Sequence, residues 1–374
     1  MDMQSFPLSP TTLEDAGLRP EPIRRLEAMI ETHIAEGHHP GASFAIARHG
    51  KLLVERTFGK ATLGGAADAD TLWLMYSNTK VVTAAAVWSL FEDGALRFTD
   101  KVSDFVPEFG KHGKQDITLL QVITHRAGYP SAMVPPESRL DHQKLREVVC
   151  DFTLEWTPGS RMHYHGSAAH WTLAVVMEAI TGKDFRDVIR ARVTAPLGLS
   201  DEIFVGVPES AMARCADMHE PAEGAGVQPI AETNSAAHRA AGVPGGGGYA
   251  TARAMAAFYQ MMLQGGELNG KKLFSRRTLE YAIRDWTGDM VDGNQGVPMN
   301  RGLGPYLRGT KPGSSHGAIA SPTTFGHGGA GSSQCWGDPE SGVSFAFFSN
   351  TRKPEAWHGR RMDTLSSFVH AALS

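Results

Sequence analysis

The sequence predicts an α+β protein, with one antiparallel sheet assembled from both ends of the chain and a mainly helical lobe inserted between them. Three observations lead there. Strand-like segments lie at 42–61 and again at 323–352, while the middle of the chain reads at helical spacing. The two kinds of element are segregated, which excludes the strand–helix alternation of a doubly wound sheet. At 374 residues, 41% hydrophobic and 20% charged, the chain can fill a large core and two lobes. The division places the sheet lobe in residues 1–95 and 231–374 and the helical lobe in 96–230.

The elements follow in order. Ile23, Leu26, Met29, Ile30 and Ile34 recur at helical spacing until GHHPG breaks the pattern. ASFAIARHGKLLVERTFGKA reads as two strands about the turn Arg48-His49-Gly50. Thr71 to Asp93 holds a second helix, stopped by Gly94. After the loop RAGYP a helical zone runs to about Leu199 and includes AAHWTLAVVMEAITG. VPGGGGYATARAMAAFYQMMLQGG is a glycine-rich turn entering an amphipathic helix, read as a flexible return into the sheet lobe. Asp285 to Thr323 is loop-like and shapes a pocket, because long irregular stretches in compact domains are usually functional or disordered. The end reads as two or three strands, with turns at GGAGSS and DPESG, and a helix from Trp357 to Leu373.

Bulk properties narrow the partners. A net charge of −4 without long charged runs argues against nucleic acid. Cys150, Cys215 and Cys335 are odd in number and far apart, so neither a disulfide framework nor a C-x-x-C site follows. The N-terminus lacks a basic n-region and an apolar h-region, and no 18 apolar residues run together. The expectation is a cytoplasmic protein without membrane attachment.

The chemistry concentrates in MYSNTKVVTAAAVWSLFEDG, Met75 to Gly94. Ser77 and Lys80 form S-x-x-K, and residues three apart share a helix face. The helix beyond Lys80 carries no charge before Glu92, so it reads as buried. A lysine at the start of such a helix is costly without a partner or a task. Ser77 at the helix start would also place its own N–H among the unpaired amides that favour developing negative charge.

Five blocks in order make the sequence similar to the serine β-lactamase and penicillin-binding-protein family. It resembles most the class C β-lactamase-like esterases, called family VIII carboxylesterases. The blocks are the Ser77–Lys80 helix with FEDGALRFTDKVSDFVPEF, ITLLQVITHRAGYP, PGSRMHYHGSAAHWTLAVVMEAITG, GGGGYATARAMAAFYQMMLQGGELNG, and FGHGGAGSSQCWGDPESGVSFAFFSN. The resemblance implies the β-lactamase/DD-peptidase-like fold with its site in the cleft between the lobes. It implies Ser77 as nucleophile, Lys80 as the group that lowers its proton affinity, and Tyr164 of Tyr164-His165-Gly166 as general base, the reading favoured over Lys80. By position the third motif is His327-Gly328-Gly329, and Ala330 N–H becomes the second oxyanion donor beside that of Ser77. Two departures matter. His327 and Gly328 stand where relatives carry lysine and a hydroxyl residue, and Gly166 stands where class C enzymes carry asparagine. Both losses disfavour a β-lactam and leave ester hydrolysis.

Other strings compete. Gly313-Ser314-Ser315-His316-Gly317 spells G-x-S-x-G, but loops flank it where a strand and a helix are required. His163, His165 and His170, and the pair His38-His39, lack zinc-ligand spacing, so no metal is implied. His163 or His165 is expected to line the cleft or tune Tyr164. Trp73, Trp171, Trp286, Tyr306 and Trp336 are candidates for an acyl pocket. The reading is a cofactor-independent serine esterase acting on a small-molecule ester through a Ser77 acyl-enzyme. The alternatives are an amidase or acyltransferase with the same intermediate, a β-lactamase or DD-peptidase, and a non-catalytic binding protein. Oligomeric state is not legible.

Overall fold

A computed structural model describes residues 6–224, 226–310 and 316–373. Ser314 and Ser315 of the G-x-S-x-G string lie outside them.

Both ends of the chain build one sheet. Strands β1 (Ser9–Pro10), β2 (Gly41–Arg48) and β3 (Lys51–Thr62) come from the N-terminal side. Tyr306–Leu307, Phe325–Gly329, Ser333–Asp338 and Val343–Ser349 come from the C-terminal side. Across the sheet the order is β1, β3, β2, Val343–Ser349, Ser333–Asp338, Phe325–Gly329, Tyr306–Leu307, with Gly65–Ala66 added to β3. All pairs are antiparallel except β1 with β3. The β2–β3 hairpin turns through His49 (φ 49°) and Gly50 (φ 78°), the two positive angles that a two-residue turn of matching twist requires.

Alternation within each strand decides what covers each face. On one side Phe44, Ile46, Phe345, Phe347 and Trp336 pack with Ile23, Leu26 and Ile30 of helix α1 (Pro20–Ala35) and with Met362, Leu365 and Val369 of the C-terminal helix Glu355–Ala371. On the other, Ala45, Ala47, Ala346 and Phe348 meet Met255, Phe258 and Tyr259 of the helix Ala252–Leu263. That core continues into helix α2 (Thr79–Glu92), where only Ser89, Phe91 and Glu92 are not buried. Its charge-free run therefore sits in the core, as its composition requires.

Residues between these strands carry the helices Leu119–Ile123, His142–Cys150, Ala168–Thr181 and Phe185–Ile189. The fold is the α+β arrangement read from the sequence. Two expectations need correction. Ser77 does not open the α-helix but lies in a 3-10 turn, Tyr76–Asn78, immediately before it. The Gly245–Gly248 run is not a slack return. It packs against α2 and leads into the strand Gly248–Ala250, which pairs with Trp73–Leu74.

Candidate active site

The turn bearing Ser77 is locked from several sides. Met75 N–H donates to Gly248 O at 2.8 Å, and Tyr76 then takes a left-handed φ of 44°. Thr79 Oγ1 donates to Tyr76 O at 2.6 Å and accepts the Gly248 N–H at 2.9 Å. Asn78 Nδ2 donates to Met75 O and to Ser333 Oγ, joining the turn to the strand Ser333–Asp338. A Cβ on Gly329 would lie 2.4 Å from Met75 O, and one on Gly248 2.4 Å from Met75 Cε. At Gly329 the absence of a Cβ therefore lets two backbones approach beside Ser77.

Lys80 follows on the first turn of α2 and is fully buried. Its Nζ is 3.1 Å from Ser77 Oγ and donates to two backbone carbonyls, Gly166 O at 2.7 Å and Gly245 O at 2.5 Å. No carboxylate pairs with it among the described residues. Burial, reinforced by the Arg301 charge, holds its pKa well below the ordinary lysine range. The partner set suits a neutral amine. Two N–H groups meet two carbonyls, and the lone pair is left for the serine hydroxyl.

Tyr164 packs beside this pair, with Lys80 Nζ 4.9 Å from its ring centre. Its hydroxyl is buried and makes no hydrogen bond of ordinary geometry among the described residues. Burial pushes the phenol upward, and the facing Ser77 hydroxyl and Arg301 oppose that only in part. That burial disfavours the phenolate.

A cavity of about 510 Å³ opens above Ser77, lined by Tyr164, Arg301, Tyr306, His327 and Ala330 among others. Gly328 and Gly329 border it as well, so the third-motif residues gather there as the sequence suggested. His327 Nδ1 donates to Gly328 O at 2.7 Å, which leaves Nε2 as a buried acceptor without a partner among the described residues. His165 is a correction. It is fully buried, with Nδ1 on His163 O at 2.6 Å and Nε2 accepting Tyr129 N–H at 3.2 Å. Both nitrogens are spent on backbone, and the residue does not line the cavity. His163 sits against Trp156 instead. Among the five aromatic candidates only Tyr306 lines the cavity; Trp73, Trp171 and Trp336 are core residues and Trp286 packs on Tyr281.

Sequence reasoning missed several groups. His125 lies 4.8 Å from the Tyr164 ring, and His125 Nδ1 accepts the His165 N–H at 3.1 Å. The Gly245 carbonyl has no side-chain signature. Arg301 and Asp292 come from the loop-rich stretch that was expected to shape the pocket. His142, Glu178 and Asp184 are the one group of possible metal ligands among the described residues, but His142 already binds both carboxylates.

A serine on a tightly held turn, a fully buried lysine beside it and a buried tyrosine mark an enzyme of the β-lactamase-like serine hydrolase class. The chain belongs to the Beta-lactamase family, whose model matches residues 26–366. It is 28% identical over 345 residues to the Esterase/beta-lactamase LipL of Mycobacterium tuberculosis, covering 83% of this chain and 77% of that protein. Two solved structures superpose with a TM-score of 0.82 at 26% identity, each covering 96% of this chain and 99% of its own: a penicillin-binding protein homologue from Caulobacter crescentus and a family VIII carboxylesterase. No helix among the described residues is long and apolar enough to cross a membrane.

Proposed function

We propose that the protein hydrolyses carboxylic esters through a Ser77 acyl-enzyme, in the cleft between the sheet lobe and the helical lobe. The observation that carries this is Lys80 Nζ at 3.1 Å from Ser77 Oγ, with its other contacts on two carbonyls. Neutral Lys80 takes the Ser77 proton as Oγ forms its bond to the ester carbonyl carbon. The carbonyl π pair moves onto oxygen, where the Ser77 and Ala330 amides would stabilise it. Lys80 returns the proton through the neutral Tyr164 hydroxyl to the departing alkoxide, which leaves as the alcohol. Water then adds to the acyl carbon, gives its proton to Lys80 and frees the acid, and Ser77 Oγ regains a proton. No metal or organic cofactor enters these steps.

Esters are favoured over lactams because Gly166 presents no side-chain amide, and because His327 and Gly328 offer an acceptor and bare backbone. The esterase names among the relatives support the same choice. The test is brief exposure to a p-nitrophenyl short-chain ester followed by peptide mapping, beside Ser77→Ala and a chromogenic cephalosporin. An acyl group on Ser77, lost in the alanine variant and without cephalosporin turnover, is the expected result. Label on Ser315, or no label with either substrate, would overturn the reading.

A further inference from the structure

One element of the cavity has no place in those steps. Asp292 and Arg301 form a buried ion pair, Nη2 to Oδ2 at 2.5 Å, with side chains 0% and 5% exposed. Asp292 Oδ1 accepts the Tyr164 N–H at 3.1 Å and the Asn294 N–H at 2.9 Å. The Arg301 guanidinium lies 5.1 Å from the Tyr164 ring centre, and its Nε is buried without a partner among the described residues. The turn is seated from both sides. Gly293 N–H donates to Met162 O at 3.0 Å, and a Cβ on Gly293 would lie 2.6 Å from His163 Nδ1. A buried pair of this kind is often replaceable by apolar residues without loss of stability. Its position against the reacting groups therefore calls for a reason other than stability.

We propose that Asp292 and Arg301 are positioning residues for catalysis: Asp292 fixes the Tyr164 backbone and holds Arg301 on the ring, and the balance of the two charges sets how readily Lys80 gives up its proton. The proposal rests on the Ser77–Lys80 reading. Other titratable groups around Lys80 are Tyr164, His125 from the loop after Leu119–Ile123, His170 from the helix Ala168–Thr181, and His327 from the strand Phe325–Gly329. Burial shifts each of them toward its neutral form. Among the described residues Arg301 is the charge that bears on Lys80, and it favours the free amine. Asp292 opposes it.

Lys80 and Arg301 each lie about 5 Å from the ring centre, so they are no more than about 10 Å apart. A charge at that separation in a protein interior shifts a titration by on the order of one pH unit.

The signs are opposite for the two partners, which a purely structural pair would not produce. The experiment follows the rate of Ser77 modification by a p-nitrophenyl phosphonate against pH, in the full chain and in three variants. Arg301→Met is expected to move the acidic limb up by about one pH unit, Asp292→Asn to move it down, and Arg301→Lys to leave it in place. An unmoved limb in variants that still melt cooperatively, or shifts of the same sign, would overturn the inference. If Asp292→Asn does not fold, Arg301→Met against Arg301→Lys decides alone. Wild-type protein left unlabelled at Ser77 would sink the functional reading itself, whereas labelled wild type with unmoved limbs sinks only this inference.

Discussion

Replacing Tyr164 by phenylalanine separates a catalytic hydroxyl from a structural one, because the two roles predict opposite signs. The Tyr164 hydroxyl is buried without an ordinary hydrogen bond among the described residues. A buried, unsatisfied hydroxyl costs about 1–3 kcal/mol, and its removal recovers that cost. Phenylalanine keeps the ring that Lys80 and Arg301 face. With an unfolding entropy of about 2.1 cal/mol/K per residue over 374 residues, each kcal/mol is worth roughly 1.3 °C in Tm. Tyr164→Phe is therefore expected to melt about 1–4 °C above the wild type. Loss of a positioned proton relay should meanwhile lower kcat about 10²–10⁴-fold. Calorimetry and p-nitrophenyl ester hydrolysis on the same preparation measure both. A variant that melts lower and keeps its activity would show the hydroxyl to be a packing group with an unseen partner, and the relay would have to be abandoned.

Three further outcomes follow from the geometry. A Cβ on Gly245 would lie 3.3 Å from Gly166 O and 3.2 Å from Ser167 Cα, wedging apart the two segments whose carbonyls hold Lys80. Gly245→Ala should thus lower kcat by about 10²-fold with KM little changed, and wild-type kcat would count against the carbonyl cradle. Half-buried His33 and buried His165 have pKa values lowered from 6.5 to about 4, and buried His316 to about 3, chiefly by burial. Across that window the unfolded chain binds more protons, so stability falls as pH drops from 6.5 toward 4 and below; a Tm flat over this range would contradict the burial of these rings. Cys150, Cys215 and Cys335 are free and buried, so a thiol reagent should modify none in the native protein and three after unfolding. Rapid labelling of any one in the native state would contradict its burial.

What the sequence made legible divides by mechanism. The sheet could be read because small and large residues alternate in GASFAIAR and VSFAFFS, and an alternating strand has two faces to cover. The buried helix could be read because a charge-free run has nowhere else to go. Ser77 and Lys80 could be read because side chains three apart meet across a 3-10 turn running into a helix as they do within one. The partners of Lys80 could not, since a carbonyl oxygen is the same at every residue; GGGGY signals a close approach without saying what is approached. The same limit explains His165, whose neighbourhood in the motif suggested the cleft while two backbone groups 36 and 2 residues away claimed its nitrogens. Arg301 is the sharpest case. It lies 137 positions after Tyr164 in a stretch without periodicity, and a single carboxylate, Asp292, brings it to the ring. The family pattern points to Ser77 by sequence, whereas the guanidinium that faces Tyr164 is delivered by a loop, where neither periodicity nor spacing could announce it.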